Sequence, residues 1–167
     1  MATPPPSWEG RIGGLSDREI AEFLAAPWNG RLATITPERM PHVTPVWYEY
    51  NPADRSIDIV ARDRSAYVRH IQANPQVAFH VADDVNLAHT RVLFQGTAEI
   101  LEGPVAPARS PRIKAIVGRM VARYMGSQGA EYASRTDNRP RYLIRITPRT
   151  VTTWTGREWH PRYRQRG

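Results

Sequence analysis

A chain of 167 residues, 41% of them apolar and 23% charged, is long enough to bury one hydrophobic core and sits in the range of ordinary globular domains. It has no cysteine, which excludes a disulfide framework, a thiolate metal site, a CxxC redox pair and a cysteine nucleophile. Its formal charge of +7 is carried almost wholly by arginine, with Lys114 the one lysine, and admits an anionic partner of three kinds: nucleic acid, an anionic small molecule or a membrane surface.

Residues 1–14 combine three prolines with three glycines and little apolar periodicity, so a tail is expected ahead of a single domain over residues 15–160, with residues 161–167 a second tail. The first residues lack the charged-then-apolar layout of a secretory signal, and no apolar run approaches the roughly 18 residues of a membrane span. No membrane partner is expected, and the cytoplasm is the expected location. Ser16-Asp17-Arg18-Glu19 is a capping box, and Leu15, Ile20, Phe23 and Leu24 then share one face of a short helix ending near Pro27. From Gly30 the pattern alternates. Leu32 and Thr34 or Ile35 mark a first strand, Pro37-Glu38-Arg39 a turn, and His42 to Tyr50 a second strand that Pro45 interrupts or confines to an edge. Asn51-Pro52-Ala53-Asp54 turns the chain into a third strand, in which Ile57, Ile59 and Ala61 alternate with polar and smaller neighbours.

Ser65 to Asn74 reads as a short helix with Tyr67, Val68 and Ile71 on one face. Val77, Phe79 and Val81 form a half-buried strand ending at Asp83-Asp84, and Val92 to Ile100 gives the longest strand signal, ended by Pro104 and Pro107. Ser110-Pro111 places an N-cap before proline, and Ile113, Ile116, Val117, Met120, Val121, Tyr124 and Met125 recur at helical spacing up to Gly126. Tyr142–Ile146 and Val151–Trp154 are the last strands, before a tail containing Trp159. This order has no βαβ alternation, so a mainly β architecture is expected: an antiparallel β-barrel with peripheral helices.

No Walker loop, GxGxxG, HExxH or GxSxG is present, and His42, His70, His80, His89 and His160 never pair at helical metal-ligand spacing. No metal and no protein nucleophile is expected. Two segments stand out. In Ile59-Val60-Ala61-Arg62-Asp63-Arg64-Ser65-Ala66-Tyr67-Val68-Arg69 a strand runs into a helix N-terminus, where free amides, a hydroxyl and arginines can converge on one phosphate. Pro41 to Tyr48 supplies a proline-broken strand with a large indole beside it.

These segments, taken in order with Gly30-Arg31-Leu32-Ala33-Thr34-Ile35, Asn74-Pro75-Gln76-Val77-Ala78 and Gln95-Gly96-Thr97-Ala98-Glu99-Ile100, resemble the pyridoxamine 5′-phosphate oxidase-like split β-barrel superfamily. The resemblance covers about residues 16–103, and Ile146 to Trp154 is similar to the family's closing strand. Each motif is weak alone; order and spacing together are specific. Members are typically homodimers that bind FMN, or the deazaflavin F420, in grooves between the two barrels. The resemblance therefore implies a flavin- or F420-dependent oxidoreductase acting on a small-molecule substrate, with FMN the first choice of cofactor and F420 the alternative. Carried over by position, it implies that Val46 and Trp47 lie along the cofactor ring and that Val60, Ala61 and Arg62 meet the ring and its ribityl chain. Ser65, Tyr67 and Arg69 fall to the phosphate, and Gln95 faces the ring from a central strand. Tyr48 and, from a partner chain, Trp154 or Trp159 are candidates for the substrate side. Tyr67 departs from the family, which often has lysine or arginine there, and His70 stands where asparagine is frequent. The charge for a phosphate is left to Arg62, Arg64 or Arg69.

Two rivals share the same residues. One is a non-catalytic split barrel that holds a flavin or a haem, with His42, His70 or His80 as axial ligand. The other is nucleic-acid binding, motivated by the charge and disfavoured because no helix gathers the arginines on one face.

Overall fold

The computed structural model describes residues 14–86 and 89–156, so most of the expected N-terminal tail, Trp159 and the C-terminal tail lie outside the described residues. Helix α1 (Asp17–Ala25) opens on the expected capping box, with the Ser16 amide donating to the Glu19 carboxylate at 2.8 Å, and buries Ile20 and Leu24. Seven strands are described: β1 (Gly30–Ile35), β2 (Pro41–Val46), β3 (Glu49–Asn51), β4 (Ser56–Arg62), β5 (Gln76–Ala82), β6 (Arg91–Val105) and β7 (Arg141–Trp154). Helix α2 (Ala66–Ala73) connects β4 to β5, while α3 (Pro111–Met125) and α4 (Gly129–Thr136) connect β6 to β7.

The strands form one antiparallel sheet in the order β2-β1-β5-β6-β7-β4-β3, the mainly β architecture with peripheral helices that the sequence predicts. The sheet is not closed: β2 and β3 are its two edges. Yet only Trp47 and Tyr48 join those edges in the chain, and at 3.8 Å per Cα step Val46 and Glu49 cannot stand more than roughly 11 Å apart. The sheet therefore curls enough to bring its two edges together at that point, an open barrel with a seam at Trp47-Tyr48.

Several expectations are corrected in detail. The run from His42 to Tyr50 breaks at Trp47-Tyr48 and not at Pro45; of the two expectations for Pro45 the edge position holds, since β2 is an edge strand and one of its sides needs no ladder partner. The last two strands are one, β7, which stays in a single ladder with β6 by absorbing a register shift opposite Gln95 and Gly96. Gly96 is required at that crossing, because a Cβ there would run into the backbone of Thr147 and Pro148. Strand β6 passes Pro104 and ends at Val105, and helix α4 was not foreseen at all.

The interior is filled by Leu24, Leu32, Tyr48, Ile57, Ile59, Phe79, Val81, Phe94, Ile144 and Ile146, all essentially inaccessible. A second cluster, Ile113, Ile116, Met120 and Leu143, lies under α3, and Val60 and Trp47 pack against it. Strand β4 and the first half of β7 are thus covered on both faces, which is why β4 buries nearly every residue instead of alternating. Two bidentate pairs fix this sandwich, Arg145 on Asp58 at 2.8 Å across the β4–β7 ladder and Arg119 of α3 on Glu49 at 2.5 and 2.8 Å. None of the described helices is long and apolar enough to cross a membrane.

Candidate functional site

Side chains alternate across a strand, so on β4 Val60 and Arg62 face one way and Ala61 the other. Ala61 enters the barrel interior and is 0% exposed. Val60 and Arg62 instead point to the side that α3 and α4 cover, and there they meet β7 in register, Val60 opposite Leu143 and Arg62 opposite Arg141. Between this face and the two helices lies a cleft of about 500 Å³, a size and make-up suited to a small-molecule site. Asn29 and the β2 residues Thr44, Pro45 and Val46 line one part of it, Val117, Met120 and Val121 of α3 an apolar wall, and Ser65, Tyr67, Tyr132, Arg62 and Arg141 a polar end.

Trp47 stands at the seam between these parts. Its indole stacks on Tyr124 of α3 with ring centroids 4.9 Å apart and planes 4° from parallel, and Tyr132 of α4 meets it edge-on at 6.3 Å. Tyr124 is itself fixed, its hydroxyl donating to the Trp28 carbonyl at 2.9 Å and accepting from Arg123 at 3.1 Å. The wall of the cleft at Trp47 is therefore rigid and aromatic.

The polar end carries an electrostatic anomaly. Arg62 and Arg141 are directly opposed across the ladder, a like-charge pair that costs stability. Arg141 is only 7% exposed and its Nε has no hydrogen-bond partner. Among the described residues neither guanidinium forms an ion pair. What faces them is two phenols. Burial pushes the Tyr67 hydroxyl above the ordinary tyrosine range, with Ser65 and both arginines acting against it. For Tyr132 burial acts in the same direction but is outweighed by hydrogen bonding from Arg62 and Arg141 and by their charge, so its phenol is held below the usual value. Ser65 is the N-cap of α2 without a capping hydrogen bond, its hydroxyl being set against Tyr67.

Of the residues singled out by sequence, Val46, Trp47, Val60, Arg62, Ser65 and Tyr67 come together around the cleft. The others do not. Tyr48 points inward, 0% exposed, with its hydroxyl donating to the Leu24 carbonyl at 3.2 Å, so it is a core residue and does not wall the cleft. Arg69 is exposed on α2, where it acts on Glu38 and His70, and Arg64 is exposed as well. Gln95 is exposed on β6 and accepts from Thr150 at 3.5 Å, while Trp154 ends β7 with the Arg91 guanidinium over its ring at 5.7 Å. Neither lines the cleft. Sequence reasoning missed Arg141 and Tyr132. Arg141 shares its strand face with Leu143 and Arg145, a parity visible in the sequence, but nothing local said which face would be covered.

The described residues match known proteins at the level of fold and family. A family model described as pyridoxamine 5′-phosphate oxidase matches residues 16–155. No curated protein matches the chain. Among solved structures, the conserved hypothetical protein Rv2991 from Mycobacterium tuberculosis is 28% identical, with 89% of each chain covered and a TM-score of 0.69. HutZ, the haem storage protein from Vibrio cholerae, is 20% identical over 83% of this chain and 95% of its own, with a TM-score of 0.60. A structure described as an F420 reductase is 22% identical over 78% of this chain and 94% of its own, with a TM-score of 0.56. The match of the family model to most of the chain, on a split antiparallel barrel of this topology, establishes that the protein belongs to the pyridoxamine 5′-phosphate oxidase family.

Proposed function

We propose that this protein is an oxidoreductase that binds FMN, or alternatively F420, in the cleft beside Trp47 and transfers a hydride between that cofactor and a small organic molecule. The observation that carries this reading is the arginine pair: two opposed guanidiniums, one of them almost fully buried with an unpartnered Nε, and no carboxylate paired with either among the described residues. Such a pair is the chemistry of a phosphate site, since guanidinium groups grip phosphate oxygens in a planar fork. The residues therefore fit the phosphate of a flavin-type cofactor even though Tyr67 stands where a cation is frequent in the family.

Arg62 and Arg141, with Ser65 and Tyr67, would hold the phosphate; Val46, Trp47 and Val60 would lie along the ring. When bound, such a cofactor supplies the redox chemistry itself. The chain contributes orientation and dryness. Trp47, clamped flat by Tyr124, sets the plane of one wall, and Val117, Met120 and Val121 keep water from the apolar end. We further propose that two copies pair, as in the family at large. Met40 and Val43, 63% and 62% exposed on and beside edge strand β2, support that reading.

The test is an absorbance spectrum of the purified protein followed by fluorescence titration with FMN and with F420. Binding of one of them at micromolar concentration is the expected result. Binding of neither removes the redox assignment and leaves the family intact.

A further inference from the structure

The hydroxyl of Tyr132 occupies an unusual place. It belongs to α4, a helix the barrel does not need for its own ladder, and the Tyr132 side chain lines the same polar end of the cleft as Arg62 and Arg141, which form no ion pair among the described residues. Helix α4 is tied down at both ends. Gly129 packs so closely on the Val121 carbonyl of α3 that a Cβ would not fit, and Asp137 accepts from Lys114 at 3.1 Å while its carbonyl takes the Ala108 amide. The helix is thus pinned, and the half-exposed Tyr132 side chain is the part that can leave without it, by a rotamer change alone. A neutral phenol is a weak acceptor for two guanidiniums; a phosphate is a strong one. We propose that Tyr132 is a specificity-determining residue that stands in for the ligand's anion, closing the Arg62–Arg141 cradle until a phosphate-bearing ligand displaces it.

This inference rests on the anion site proposed above but not on the identity of the cofactor. It implies that the phenol competes with the ligand instead of helping to hold it. Acceptors no stronger than the phenol are turned away, and phosphate esters enter. Trp47 reports the event, because the Tyr132 ring leaves its edge when the side chain swings out.

The experiment compares the wild-type chain with Tyr132→Phe, which keeps the ring against Trp47 and removes only the hydroxyl. Inorganic pyrophosphate and FMN are titrated separately by calorimetry, with tryptophan emission as a second readout. The expected result is that Tyr132→Phe binds pyrophosphate about tenfold more tightly, the equivalent of one competing hydrogen bond to a charged group. Emission should change on pyrophosphate addition in the wild type and lose that response in Trp47→Phe. Equal or weaker pyrophosphate binding by Tyr132→Phe overturns the proposal, since the hydroxyl would then be a bystander or a ligand. Pyrophosphate that binds neither protein overturns it too. Failure of FMN alone, with tighter pyrophosphate binding in the variant, leaves the gate standing and removes only the flavin reading.

Discussion

At the scale of single residues, the two arginines of the cleft differ in exposure and in how far the sequence marks them. Arg62 is exposed and could be read from the sequence as the end of a strand running into a helix start. Arg141 is buried and was hidden in a basic stretch, Arg139 to Arg149, whose members look alike until a partner strand selects among them. Their removal should differ accordingly. Arg62→Ala is expected to weaken FMN binding by about 1.5 kcal/mol and Arg141→Met by about 3 kcal/mol, the two ends of the range for hydrogen bonds to charged groups, with solvent screening placing the exposed residue at the low end. Fluorescence titration of both variants checks this, and an unchanged dissociation constant for Arg141→Met would take the phosphate away from the ladder. The misplacement of Tyr48 and Ala61 has a simpler cause. Neighbours on an extended chain face opposite ways, so a motif of consecutive residues such as Trp47-Tyr48 or Val60-Ala61 always offers one member to the cleft and one to the core.

Elements with strong end signals were legible and those without were not. The capping box of α1 and the Ser110-Pro111 start of α3 are local chemistry, and both helices begin where those residues say. Helix α4 has eight residues, no side-chain cap and a largely polar surface, so nothing in its sequence separates it from a loop; packing on α3 makes it a helix. The single long β7 was missed for a related reason, because the stretch between its two apolar runs, with Pro148, is a bulge of the ladder that only pairing with β6 reveals. Between elements, the contact of α2 with β1 and β2 carries a pH dependence. His70 of α2 is buried, shares a 3.0 Å hydrogen bond with Thr34 of β1, and meets His42 of β2 edge-on at 5.1 Å. Burial first, then the charges of His42 and Arg69, hold its imidazole below the ordinary histidine value, with Glu38 pulling the other way. The unfolded chain binds the proton more readily, so this contribution to stability is complete above about pH 6.5 and is lost as pH falls through the window down to the folded value. Thermal unfolding followed from pH 7 to pH 5 should show a falling midpoint, and His70→Gln should fall less steeply. His80, lowered in the same direction by burial and by Arg31 and Arg91, accounts for a slope that remains in the variant.

For the molecule as a whole, fold class was readable because strand periodicity, turn chemistry and the absence of βαβ alternation agree with one another. The cleft was readable only in half, the half written in residues 41–69, since the other half comes from α3, α4 and β7 and depends on contacts distant in sequence. The proposed pairing of two copies belongs to this scale. Sedimentation velocity should give a dimer, and Val43→Lys, which puts a charge on the exposed face of the β2 edge, should shift it to monomer. A wild-type monomer at all concentrations would leave the cleft a one-chain site.

Asp58 and Arg145, the pair that locks β4 to β7, are 87 residues apart in sequence, and the two halves of the arginine cradle come from the same two strands. During synthesis, then, the segment carrying Arg62 emerges long before its counterpart, and a ribosome-bound fragment stalled ahead of β7 would carry only half of the proposed cradle. If the proposed anion site holds, uptake of the ligand would therefore report that β7 has docked on β4.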